Sequence, residues 1–320
     1  RSFRARNEQA LISFGAEFTE LCASVTAQER EQTLRAVLFQ DRRVRQLYLN
    51  GVKQKTAGAF SGVLPSVLFY PDDLTVLKKG AQPRRKLLDN VICQLRPNYE
   101  LALAEYHRLL DRKAAMLRER YETPSLLAVL PEYNARMVQV GALLISYRAR
   151  YLQALEQSAA QFHAEFSGDK EQLRLVYQTV STVDDPFAPL ETLRAQLNEH
   201  QKTHERAELE SAQCLSGPHK DDFEATLNGL SMSRFASQGQ LRTATIAIKL
   251  AERELLRRDC GEEPLLLLDD VLSELDAGRQ DFVLNRLNKG QVFITCCEND
   301  RLTALGQVLR IENGAIVGGE

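Results

Sequence analysis

The stretch Pro264-Leu-Leu-Leu-Leu-Asp-Asp-Val-Leu-Ser-Glu-Leu-Asp276 constrains the fold more than any other part of the chain. Its leucine run predicts a strand buried on both faces, as in the middle of a parallel sheet covered by helices. Asp269 and Asp270 then fall at the carboxyl end of that strand, where open α/β sheets place their sites. A hydrophobic strand delivering two adjacent acids suits a nucleoside triphosphatase, the first acid serving a magnesium ion and the second the attacking water. The same residues also suit a core strand followed by a solvated acidic turn, so the neighbouring segments have to decide.

A chain of 320 residues predicts about two domains with a real core. Lys and Arg number 41 against 43 Asp and Glu, a formal charge of −2, so no bulk basic field announces a nucleic-acid partner. Local basic patches stay open. The six cysteines include no Cys-x-x-Cys pair and there are only five histidines, which argues against structural zinc and for reduced thiols. No run approaches the ~18 apolar residues of a spanning helix, and the start carries no signal-peptide core. A cytoplasmic, soluble protein is expected.

In chain order, residues 10–53 predict a small antiparallel layer, with a strand in Leu34–Phe39, another from Val44 to Leu49, and a hairpin at Asn50-Gly51. Leu64–Tyr70 predicts a strand, and Pro71–Gly80 a turn with a short helix. Pro83, Arg84 and Arg85 open a further helix, and these arginines suit either a solvated helix start or a phosphate contact.

Residues 97–166 predict helices on both sides of a connector marked by Pro124 and Pro131, the second running from about Glu132 to Phe166 and stopping at Gly168. They read as an inserted arm or lobe. Arg112, on the first, and Arg148, on the second, make a DNA surface one reading of its basic residues and plain solubility the other. Leu173–Tyr177 predicts a strand, Leu190–Glu210 a polar helix, and Asn228-Gly229 a second hairpin. Gly217-Pro-His-Lys-Asp-Asp222 is a compact polar turn, read as structural hydrogen bonding rather than a metal site.

Ser237 caps the next predicted helix, with Gln240 completing a capping box and Gly239 allowing close approach. Such a helix start presents free N–H groups to an anion. After the acidic strand come a helix over Gln280–Leu287, a strand over Gln291–Cys296 and a closing hairpin at Asn313-Gly314.

These motifs together resemble the RecF family of the SMC-like ABC ATPase group, over nearly the whole chain. The resemblance rests on Arg1-Ser-Phe-Arg4, Pro71-Asp-Asp-Leu74, Gly80, Pro83, Arg84, Arg85, Asp89, Gly141, Arg148, Gly217–Asp222, Ser237–Thr243 and Leu266–Asp276. It implies an α/β fold: an ABC-type P-loop NTPase head, a mixed sheet with helices, carrying an inserted helical lobe. The expected division is 1–95 for the first part of the ATPase lobe, 96–212 for the helical lobe and 213–320 for the rest of the ATPase core. By resemblance, Asp269 is the Walker B aspartate serving Mg2+ and Asp270 the water-activating acid. Ser237, Gly239 and Gln240 match the signature that caps a partner subunit's ATP, and Ser273 and Asp276 match the D-loop across an ATP-dependent homodimer.

The resemblance further implies slow ATP hydrolysis, binding of single- and double-stranded DNA at gaps, and work with RecO and RecR in loading RecA during recombinational repair and replication. The sequence departs from the family in two places. No Gly-x-x-x-x-Gly-Lys-Ser/Thr phosphate loop occurs in it. The expectation is that about 35 family residues preceding Arg1 are missing, that the 264–268 strand lacks central neighbours and that this polypeptide turns over no ATP. Cys296-Cys-Glu298 also replaces the family's usual hydroxyl and acidic residues. The alternative is a non-catalytic DNA-binding or RecR-binding module.

Overall fold

The computed structural model describes residues 7–27, 29–41, 45–55, 57–60, 62–287, 289–297 and 306–319. Arg1–Arg4, Val44 and Glu298, named above, lie outside the described residues.

An antiparallel sheet opens the chain: β1 (Phe18–Ala27), β2 (Arg30–Phe39), β3 (Gln46–Leu49) and β4 (Val52–Gln54), in that order. The β3–β4 hairpin turns on Asn50 and Gly51, with φ of 51° and 78°, the left-handed pair that a two-residue hairpin needs. β5 (Ser66–Phe69) leads into a 3-10 turn, Pro71–Thr75, and then into α1 (Ala81–Leu95) and α2 (Pro97–Glu119). α3 (Leu130–Ser167) starts with Pro131 in its first turn, where no N–H is needed, and ends on Gly168 in the left-handed conformation.

β6 (Leu173–Gln178) pairs antiparallel with β7 (Asp222–Leu227), which continues into β8 (Leu230–Ser231). Between them lies α4 (Leu190–Ser211). A helical turn, α5 (Met232–Phe235), precedes α6 (Gln238–Cys260), and β9 (Leu265–Asp269), α7 (Ala277–Leu284) and β10 (Val292–Thr295) follow. β11 (Leu309–Glu312) and β12 (Ala315–Gly319) form the closing hairpin.

β9 is the middle strand of a parallel sheet ordered β10-β9-β5. The expectation that it lacks central neighbours therefore does not hold: Leu266 faces Val292 on one side and Val67 on the other. Nor is the strand equally covered on its two faces. Leu266 and Leu268 are buried with Val67, Phe69, Ile246 and Val283, whereas Leu265 and Leu267 are half-buried.

The helical lobe is not a detached arm. α3 is central to the largest core, where Leu144, Leu152 and Leu155 meet Ile248 and Ala251 of α6 and Phe223 of β7. Its Tyr151 and Phe162 also reach the cluster around β9. Burying both faces of a 38-residue helix in this way commits the lobe and the sheet to one another.

Candidate functional site

At the carboxyl end of β9, Asp269 stands in register with Thr295 of β10. The Thr295 hydroxyl donates to Asp269 Oδ1 at 2.8 Å. Asp270 follows with φ of 54°, a left-handed conformation that Asp tolerates better than most residues and that clusters at functional sites. Its N–H is shared between the Thr295 carbonyl at 3.2 Å and Thr295 Oγ1 at 3.0 Å. Ser273 Oγ lies 2.7 Å from the Asp270 carbonyl and 3.1 Å from Asp270 Oδ1, which fixes the second acid from its other side. Both acids are half-buried, so they meet solvent at one edge.

The start of α6 has the geometry its sequence predicts. The Gln240 N–H donates to Ser237 Oγ at 3.2 Å, and the Ser237 N–H donates to Gln240 Oε1 at 2.9 Å. This reciprocal box satisfies two donors, and the other first-turn N–H groups of a helix have no partner within it. Gln240 Nε2 donates to Glu171 Oε1 at 2.8 Å, and Glu171 Oε2 lies 3.0 Å from His163 Nε2. Burial lowers the His163 pKa, against the pull of Glu171.

Two arginines join this helix start to the segment after the acids. Arg242 pairs with Glu274 at 3.2 Å. Arg279 donates to the Gly239 carbonyl at 2.9 Å and pairs with Asp276, the residue that caps α7 by accepting the Arg279 N–H at 3.0 Å. That N–H, and after it the guanidinium, holds the Asp276 carboxyl below the usual range. Deeper in, Lys249 of α6 lies between Asp73 at 3.4 Å and Glu252 at 3.2 Å, tying α6 to the turn after β5. Burial pushes Glu252 up to about 7 despite that lysine.

Ser237, Gly239, Gln240, Ser273 and Asp276 thus lie on connected elements, together with Asp269 and Asp270. Arg279, Thr295 and Glu171 were not recognised in the sequence as parts of this arrangement. The only local signal for Arg279 is its place in the first turn after a capping aspartate.

The four arginines singled out for phosphate or DNA divide sharply. Arg148 is 3% exposed, so the surface role expected of it does not hold. It donates to Asp89 at 2.8 and 2.9 Å, to the Pro218 carbonyl at 2.7 Å and to Asp221 at 3.1 Å. Arg84 is largely buried and grips Asp222 through two bonds of 2.7 Å, and it also donates to the Leu77 and Lys79 carbonyls. Arg85 is half-buried and donates to the Asp221 carbonyl at 2.5 Å. Arg112 is exposed, with Tyr133 at 3.4 Å.

The Gly217–Asp222 turn is held by hydrogen bonds to the residues around it. His219 Nε2 faces the Cys214 carbonyl at 3.0 Å, so it carries the proton, and Nδ1 accepts from the Tyr106 hydroxyl at 2.8 Å. Gly217 has φ of 125°, and a Cβ there would come within 2.2 Å of the Tyr106 hydroxyl. The six cysteines are free thiols. Among the described residues no group of three or more His, Cys, Asp or Glu side chains could hold a metal ion, and no helix is long and apolar enough to cross a membrane.

No protein-family model matches the chain. It is 35% identical over 326 residues to the DNA replication and repair protein RecF of Symbiobacterium thermophilum, covering 99% of this chain and 85% of that protein. The chain belongs to the RecF family. The RecF of Lactobacillus delbrueckii subsp. bulgaricus is 34% identical over 312 residues, 95% of this chain and 80% of that one. A solved structure of the recombination mediator protein RecF-ATP in the RecFOR pathway superposes with a TM-score of 0.86 at 31% identity, covering 94% of this chain and 80% of that one. The RecF fold is therefore present here: a mixed α/β P-loop NTPase-like head with helical insertions.

Proposed function

We propose that this RecF-family chain is an ATP-dependent DNA-binding protein of recombinational repair and DNA replication, acting in the cytoplasm. One observation carries the reading: Asp269 and Asp270, oriented by Thr295 and Ser273, share connected elements with the capped α6 start. The relatives named DNA replication and repair protein RecF, and the RecF-ATP structure, supply the biological context. In this reading Asp270 activates the attacking water. Ser237, Gly239 and Gln240 address the terminal phosphate of a partner subunit's ATP, and Ser273 and Asp276 line the contact between two copies. The working division of the chain remains 1–95, 96–212 and 213–320.

Asp269 suits Mg2+, which binds through one or two carboxylates together with phosphate oxygens and water rather than in an all-protein cage. The carboxylate oxygens of Asp269, hard donors oriented by Thr295 at the end of β9, fit that ion. When bound, it would neutralise charge on the transferred phosphoryl group.

Single- and double-stranded DNA, and RecO- and RecR-like proteins in loading RecA, are the partners proposed by kinship with RecF. Among the four arginines, exposure favours Arg112 for DNA contact. At a formal charge of −2 any attraction to DNA is local, so binding is expected to weaken steeply with salt. The second reading is a non-catalytic DNA-binding or RecR-binding module, in which exposed basic residues such as Arg112 would meet the partner.

ATP turnover by the full-length protein, with and without DNA, separates the two. Slow, DNA-stimulated hydrolysis that falls about a hundredfold or more in Asp270→Ala supports the ATPase. Full turnover by that variant removes Asp270 from its role, and no turnover by the unsubstituted protein favours the module.

A further inference from the structure

Arg279 occupies the first turn of α7, with its side chain 18% exposed, and its guanidinium reaches three elements at once. Within α7 it pairs with Asp276. Toward α6, Nε donates to Thr243 Oγ1 at 3.0 Å and Nη2 donates to the Gly239 carbonyl at 2.9 Å. Thr243 Oγ1 donates to that same carbonyl at 3.0 Å, closing a small ring of hydrogen bonds around it. Toward α3, the guanidinium carbon stands 5.3 Å from the centre of the Phe166 ring. Phe166 meets Phe282 edge-on at 5.1 Å, and Glu165 pairs with Arg286 at 2.5 Å, so the end of α3 is held against α7 and the turn that follows it.

We propose that Arg279 is a positioning residue that makes the start of α6, the start of α7 and the end of α3 move as one body. It acts through Gly239 and Asp276. Its effect on turnover rests on the ATPase reading above; its mechanical role does not. The planar fork of an arginine can serve a carboxylate, a hydroxyl and a carbonyl together, whereas a lysine presents a single nitrogen to one or two of them. The grip is on the carbonyl of the second residue of α6, within the turn whose N–H groups would meet phosphate. A displacement of that turn by about 1 Å is enough to cost on the order of a hundredfold in rate. Because Phe166 and Glu165 end the 38-residue α3, a shift of the helical lobe has a packed route to both helix starts.

The test compares the full-length protein with Arg279→Lys, which keeps the charge and therefore the Asp276 pair, and Arg279→Ala. Hydrogen exchange is read by peptide over residues 163–168, 238–243, 265–269 and 277–282. The expected result is exchange faster by about tenfold at 238–243 and 277–282 in Arg279→Ala, with 265–269 unchanged. In Arg279→Lys the 238–243 peptide loosens while 277–282 stays protected. Acceleration confined to 277–282 in both variants overturns the proposal, since Arg279 would then serve only its own helix.

In turnover, both variants are expected to lose about tenfold or more in kcat with the KM for ATP within about twofold. A raised KM at unchanged kcat, or full kcat in Arg279→Lys, overturns it. Asp270→Ala provides the separation between readings: it removes turnover without loosening 238–243. If the unsubstituted protein hydrolyses no ATP, the ATPase reading fails and the exchange pattern alone decides the role of Arg279.

Discussion

The Thr295 hydroxyl donates to Asp269 Oδ1 at 2.8 Å while accepting the Asp270 N–H at 3.0 Å. One side chain on β10 thus orients both acids at the end of β9. Thr295→Val keeps the shape and removes the hydroxyl. It is expected to cost about 1 kcal/mol of stability, the worth of an ordinary hydrogen bond. Turnover should suffer more, by about ten- to a hundredfold in kcat, because the carboxylate loses its orientation. Thr295→Ser should recover most of it, and steady-state ATP hydrolysis alongside thermal unfolding checks both.

Arg148 and Arg112 predict opposite phenotypes. Arg148→Ala strands Asp221, which is 0% exposed, and is expected to cost about 3–5 kcal/mol in urea unfolding. Arg112→Ala, on an exposed face, should change stability by no more than about 0.5 kcal/mol. If Arg112 meets phosphate, its loss lowers the slope of DNA affinity against salt by about one ion.

The His219 ring is held neutral in the folded protein, where burial lowers its pKa to about 4 from the ordinary 6.5. Between those values the unfolded chain takes up a proton that the folded chain does not. Stability is therefore complete above pH ~6.5 and falls as the pH drops toward ~4, by on the order of 3 kcal/mol from this group. His219→Gln is expected to flatten that part of the stability profile, measured by denaturant unfolding at stepped pH.

Lys113 and Glu208 form an ion pair at 2.7 Å with exposures of 0% and 1%. Lys113→Met leaves a buried, uncompensated carboxylate and should cost about 3–5 kcal/mol. Adding Glu208→Gln should restore most of the loss. The new amide keeps an oxygen for the Leu215 and Ser216 N–H groups, which Glu208 Oε1 accepts at 2.7 and 3.3 Å. Glu208→Leu in its place should not restore it, since both N–H groups would be orphaned. Urea midpoints of the three variants decide this.

Much of the fold was legible because the signals are local. The Asn-Gly pairs at 50–51, 228–229 and 313–314 each adopt the left-handed turn their residue types favour. The Ser237–Gln240 box spans one helical turn, and the leucine run of β9 marks a strand, although not that only Leu266 and Leu268 of it would be fully buried. The helical content of residues 97–166 was equally plain, whereas the central packing of α3 was not, because an apolar stripe does not name what covers it.

The sequence by itself determined the acids at the end of β9, the capped start of α6 and the kinship that joins them. Only the tertiary structure decided what each arginine does. Arg84, Arg112, Arg148 and Arg279 are the same residue type on helices. Arg148 is withdrawn from solvent by Asp89 and Asp221, 59 and 73 positions away, and Arg84 by Asp222, 138 away. Arg279 is turned onto Gly239, 40 positions back. Burial and ion pairing depend on which distant groups the fold brings within about 3 Å, and the cost of desolvating a charge is set by that whole environment.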